Sequence, residues 1–156
     1  SVDLFPAISL IDGRLNAAAR DNLPLAARVA LWLAECSPQQ VTDFAERLRL
    51  PTDCRDLALL LVRHRAALVQ PDALSAEDRL ATLERCDAFR RAERFRTLLA
   101  TLPVLGAKAG VVDQWLRMQA AAAGVDAGAI ALGVRTQEHI ATRIREARIE
   151  ALQNLV

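Results

Sequence analysis

The sequence predicts an all-α protein, an irregular array of about seven or eight short helices, and three observations carry that prediction. A 53% apolar fraction rich in Ala and Leu, without Tyr, favours helix. Apolar residues return at the i, i+3, i+4, i+7 spacing of one helical face. Between these stretches stand helix-start and helix-stop residues, and no stretch alternates as a strand does. At 156 residues the chain is the size of one domain, able to bury about two-thirds of its unfolded surface without metal or disulfide.

Taken in order, Ser1 to Gly13 holds Phe5, Ile8, Leu10 and Ile11 behind Pro6 and reads as a short helical or irregular strap ending at Gly13. Asn22 and Pro24 stand at cap and first-turn places for a helix over about 23–36, with Val29, Trp32 and Leu33 as its apolar stripe. Ser37-Pro38-Gln39-Gln40 has capping-box spacing with Pro at the first helical position, so a helix over about 38–49 should bury Val41, Phe44, Ala45 and Leu48. Pro51 cannot continue that helix but can start another, read over about 52–69. On it Leu57, Leu60, Leu61, His64 and Leu68 share a broad face, which marks it as the central helix.

Gln70-Pro71-Asp72 breaks the central helix and Ser75 caps the next, which turns Leu80, Leu83 and Cys86 inward. A turn near 87–90 leads to a helix over about 91–101, closed by Pro103 and Gly106. Ala107 to Ala123, ending at Gly124, carries Val111, Trp115, Leu116 and Met118. Gly128 and Gly133 bracket an apolar turn, and Thr136 opens a last helix to about Leu152 with Ile140, Ile144, Ala147 and Ala151 in register. The whole reads as one helical domain over 1–156, divisible into core helices over 1–86 and a tail over 87–156.

Composition also excludes functions. No apolar run reaches the ~18 residues of a spanning helix, and no basic segment precedes an apolar one at the N-terminus, so a soluble cytoplasmic protein with no membrane partner is expected. Cys36, Cys54 and Cys86 are odd in number and widely spaced, in neither a disulfide framework nor a zinc pattern. The glycines form neither G-x-G-x-x-G nor G-x-x-x-x-G-K-[ST], so no phosphate cradle is present. His64 reads as a core histidine, the cysteines as buried thiols, and Trp32, Phe89, Phe95 and Trp115 as packing groups. The net charge of +1 decides nothing about nucleic acid, since phosphate binding depends on local charge density. Locally, Arg85, Arg90, Arg91, Arg94 and Arg96 face only Asp87 and Glu93, and Arg135, Arg143, Arg145 and Arg148 face Glu138 and Glu146. Each run is either a solvated face or a set of phosphate contacts.

Four pieces in one order carry a family resemblance. They are Leu4-Phe5-Pro6; the step from Arg47-Leu48-Arg49-Leu50-Pro51 to Arg55-Asp56-Leu57-Ala58 and His64; Leu83-Glu84-Arg85-Cys86-Asp87-Ala88-Phe89-Arg90; and Arg145-Glu146-Ala147-Arg148-Ile149-Glu150-Ala151-Leu152, with Ile140 and Ile144 before it. Together they resemble the C-terminal half of bacterial tRNA nucleotidyltransferases, the CCA-adding enzymes and their poly(A) polymerase relatives. The resemblance implies a tRNA-binding region without catalytic residues, attached to an N-terminal catalytic domain that uses Mg2+ with CTP and ATP. It makes Arg90, Arg91, Arg94, Arg96, Arg143 and Arg145 the RNA-binding candidates, and it implies no cofactor in this chain. Some members carry a phosphohydrolase site with a His-Asp pair; at that place this chain reads Ala34-Glu35-Cys36-Ser37-Pro38, and no metal site is expected. The alternatives are the corresponding region of a poly(A) polymerase and a non-enzymatic helical protein-interaction adaptor.

Overall fold

A computed structural model describes residues 8–134 and 136–155; the Leu4-Phe5-Pro6 piece and Arg135 lie outside them. Among the described residues there is no strand, and nine α-helices follow one another with one 3₁₀ turn at Pro71–Ala73. They are α1 (Ile8–Arg20), α2 (Leu25–Trp32), α3 (Pro38–Leu48), α4 (Thr52–Val69), α5 (Ala76–Arg85), α6 (Ala92–Ala100), α7 (Val111–Ala123), α8 (Ala127–Leu132) and α9 (Gln137–Gln153). The all-α prediction holds, and α4 runs over the residues the sequence assigns to it.

Helix starts follow their local chemistry. At α3 the Ser37 hydroxyl accepts the Gln40 N–H at 3.1 Å while the Gln40 side chain accepts the Ser37 N–H at 2.8 Å, completing the capping box. Ser75 caps α5 by accepting the Asp78 N–H. Helix ends use left-handed residues other than glycine. After α1, α3 and α5, respectively, Asn22, Arg49 and Asp87 take φ near +50°. In each case the next N–H closes onto a carbonyl five residues back, as in Leu50 N–H to Ala45 O and Ala88 N–H to Leu83 O.

Four boundaries differ from expectation, the first being α2, which closes at Trp32 and not near Cys36 because Leu33 to Cys36 form turns. Helix α1 passes through Gly13 to Arg20, because Ala17-Ala18-Ala19 propagates helix and no proline interrupts it. Helix α7 starts at Val111 and not near Ala107, because Gly106 and Gly110 both adopt φ near +90° and hold the connection open. The apolar stretch after Gly124 is a short helix and not a turn, since the Asp126 carboxylate accepts the Ala129 N–H and caps it.

The core gathers around α4, which packs against α2, α3, α5 and α6. Its buried face is Cys54, Leu57, Ala58, Leu61 and Leu68. His64 stands at the margin of that face, half-buried, so the core-histidine reading is half right. Trp115 of α7 is wholly buried, sets its ring edge-on to Phe95 at 6.3 Å, and donates its indole N–H to the Leu68 carbonyl at 2.8 Å. That bond satisfies a carbonyl in the last turn of α4 and ties α7 to it. Trp115→Phe removes the donor and part of the ring, so unfolding free energy should fall by about 2–4 kcal/mol, read from the urea midpoint at constant slope.

Candidate nucleic-acid interface

The arginine-bearing turn between α5 and α6 is built by backbone. Asp87 in the left-handed conformation reverses the chain, and its carbonyl accepts the Arg91 N–H at 2.8 Å to start the next helix. The Gln119 side chain of α7 donates to the Ala88 carbonyl at 2.7 Å and fixes the turn from below. Phe89, Arg90 and Arg91 are thereby presented in succession, with Arg90 and Arg91 exposed.

The structure brings the two predicted arginine groups together. Arg145 of α9 forms an ion pair with Glu84 of α5, and the Arg148 guanidinium lies 4.7 Å over the Phe89 ring. These contacts set α9 beside the turn, so residues as far as 61 positions apart in sequence share one neighbourhood. No periodicity in the sequence announces either contact. Phe89 packs, as expected, but its partner is a cation as well as the core.

The six candidates are placed differently. Arg90 directs Nε and Nη2 onto one Asp87 oxygen at 3.0 and 2.7 Å, and Arg96 pairs with Glu93. Arg145 is occupied by Glu84. Arg94 is half-buried, with its Nε covered and unpaired, and its charge acts on Cys86. Burial nonetheless pushes the Cys86 thiol up to about 12, so it is an inert core thiol. Arg91 and Arg143 are exposed and make no ion pair among the described residues. Arg143 borders an open groove of about 440 Å³ between α8 and α9.

In the turn after α2, at Ala34-Glu35-Cys36-Ser37-Pro38, stands a cluster of three charges. One oxygen of Glu35 accepts from Arg14 of α1 at 2.5 Å and from Arg65 of α4 at 2.8 Å. The hydrogen bonds from Arg65 and Arg14 hold the Glu35 carboxyl below its ordinary pKa. Sequence reading missed this triad, because its members lie 21 and 30 residues apart and each is an ordinary surface type. His64 is pushed below its ordinary value by burial, then by the charges of Arg85 and Arg63, which disfavour a further cation. Among the described residues no group of three or more His, Cys, Asp or Glu side chains is placed to hold a metal, so the donors present do not fit one.

The chain is 40% identical over 119 residues to a multifunctional CCA protein from Azoarcus sp., a match covering 71% of this chain and 29% of the relative. It matches one part of the multifunctional CCA proteins. A relative of the same description from Ralstonia nicotianae is 39% identical over 121 residues, covering 72% of this chain and 28% of its own length. One from Aromatoleum aromaticum is 39% identical over 125 residues, covering 75% and 31%. The chain thus spans about 30% of the length of the curated CCA-protein relatives it matches. The resemblance to the tRNA nucleotidyltransferase family drawn from the four motif pieces holds. No family profile and no solved structure matches the chain.

The Glu35 triad sets an acid dependence. With the folded pKa below the unfolded one, its stabilisation is fully present above about pH 4.5 and is lost as pH falls through the folded value. Glu35→Gln should therefore lower stability at pH 7 and flatten the decline below pH 4.5, read from melting temperatures of both proteins between pH 3 and pH 7.

Proposed function

We propose that this chain is the C-terminal, tRNA-binding helical domain of a bacterial tRNA nucleotidyltransferase that adds CCA to tRNA 3′ ends. The observation that carries the reading is the union of the arginine turn after α5 with α9, through Arg145 to Glu84 and Arg148 to Phe89. Two sequence segments then offer cations on neighbouring surfaces, as a rod of phosphates requires. The description of the relatives as multifunctional CCA proteins favours CCA addition over poly(A) addition, and identities of 35–40% over most of this chain weigh against an unrelated adaptor.

In this reading the chemistry belongs to the N-terminal catalytic domain of the same protein, where carboxylates would hold Mg2+ and CTP and ATP would bind. The helical domain would grip the body of the tRNA and work in the cytoplasm; no described helix is long and apolar enough to cross a membrane. Grip of this kind needs backbone contacts and little base readout, which suits exposed arginines and buried aromatic rings.

Internal pairing does not disqualify Arg90, Arg96 or Arg145. Exposed ion pairs are worth about 0–1 kcal/mol, so a phosphate can displace Asp87, Glu93 or Glu84 at small cost and form a charge-assisted fork. Arg91 and Arg143 start without that competition and should contribute most. Their joint change to Ala should weaken binding of a tRNA transcript at low salt and lower the slope of log affinity against log salt by about 0.9 for each duplex phosphate no longer neutralised. Melting temperature should stay within about 2 °C, as for other exposed substitutions. An unchanged slope in the folded double variant would make these arginines a solvated face.

A further inference from the structure

The motif Arg145-Glu146-Ala147-Arg148 contains a residue outside the six RNA candidates that shares the half-burial of Arg94 but is stacked on an aromatic ring. Arg148 is half-buried, its Nε is covered and without a hydrogen-bond partner, and its guanidinium lies 4.7 Å from the centre of the Phe89 ring. A guanidinium so placed has given up water on one edge and found a π-face and not a carboxylate. Phe89 in turn sits between the Ala88 carbonyl, held by Gln119, and the exposed Arg90 and Arg91. The stack therefore joins the middle of α9 to the one turn that displays the arginines.

We propose that Arg148 is a positioning residue for RNA binding: stacked on Phe89, it sets α9 against the turn so that Arg91 and Arg143 meet one RNA backbone together. This rests on the tRNA-binding reading above and adds a role that charge alone does not give. Arg148 acts through the planar face of its guanidinium, and a lysine, equally charged but compact and strongly hydrated, does not replace it. Glu84 and Arg145 hold α9 at a second point one turn away, so removing the stack loosens the register of α9 without releasing the helix.

Four variants of the 156-residue chain test this against a tRNA transcript at several salt concentrations: Arg148→Lys, Phe89→Leu, Phe89→Tyr, and Arg148→Lys with Phe89→Leu. Arg148→Lys and Phe89→Leu should each weaken low-salt affinity by about fivefold and reduce the salt slope, the size expected when a partly desolvated cation–π pair is broken. Phe89→Tyr, which keeps the ring, should bind as the parent does. The double variant should be no weaker than either single one, because both remove the same stack. Parental affinity and slope in Arg148→Lys would overturn the proposal, since charge would then suffice. So would a double variant as weak as the product of the singles. If Phe89→Leu fails to fold, Arg148→Lys alone decides. Absence of tRNA binding by the parent chain would instead remove the tRNA-binding reading, and this proposal with it.

Discussion

The hydrogen bond from the Trp115 indole to the Leu68 carbonyl is the constraint on which the rest of the arrangement depends. Helix α4 is the hub, but a hub needs its far end closed, and the last carbonyls of a helix have no partner within it. By accepting a donor from α7, the end of α4 becomes a fixed point in the core. From there the order of attachment runs outward: Trp115 seats Phe95 of α6, Gln119 one turn later holds the turn after α5, and that turn receives α9. The arginines are displayed by the last link of this chain, which begins in the dry interior.

Much of this was legible from local chemistry. Ser37-Pro38-Gln39-Gln40 announced both its cap and its helix, and Pro51 fixed the start of α4, because such signals act over one turn and are overridden by little else. The connections of α7 and α8 were less legible. Glycine at Gly110 held a loop open, whereas glycine at Gly128 was absorbed into a helix, and the difference lay in Asp126 and in backbone angles that composition does not reveal. For the candidate interface, sequence identified which arginines cluster along the chain but not which are committed. Pairing of Arg145 with Glu84 spans 61 residues, and the Glu35 triad joins α1 and α4 through the turn after α2. Contacts of that range are settled by packing and leave no periodic trace.

Glu35 also shows how charge can join elements that lie far apart in sequence. In the turn after α2 its carboxylate is shared between two guanidiniums. Arg14 is almost wholly buried, and a buried cation needs such a counter-charge near it. Helices α1 and α4 are thereby joined at that point by hydrogen-bonded charge.

The burial of α9 is uneven: Leu152 is its one fully buried residue, Ile149 packs on the core, and from Thr136 to Arg143 only Ile140 is even half-covered. Arg143 lies about 13 Å along the axis from Leu152 at 1.5 Å per residue. The contacts that tie α9 to α5, to the turn after α5 and to the core, Arg145 to Glu84, Arg148 over Phe89 and the buried Leu152, all lie on the C-terminal side of Arg143. Seven residues of α9, Gln137 to Arg143, therefore project beyond the ion pair with Glu84 and set Arg143 at the rim of the groove shared with α8.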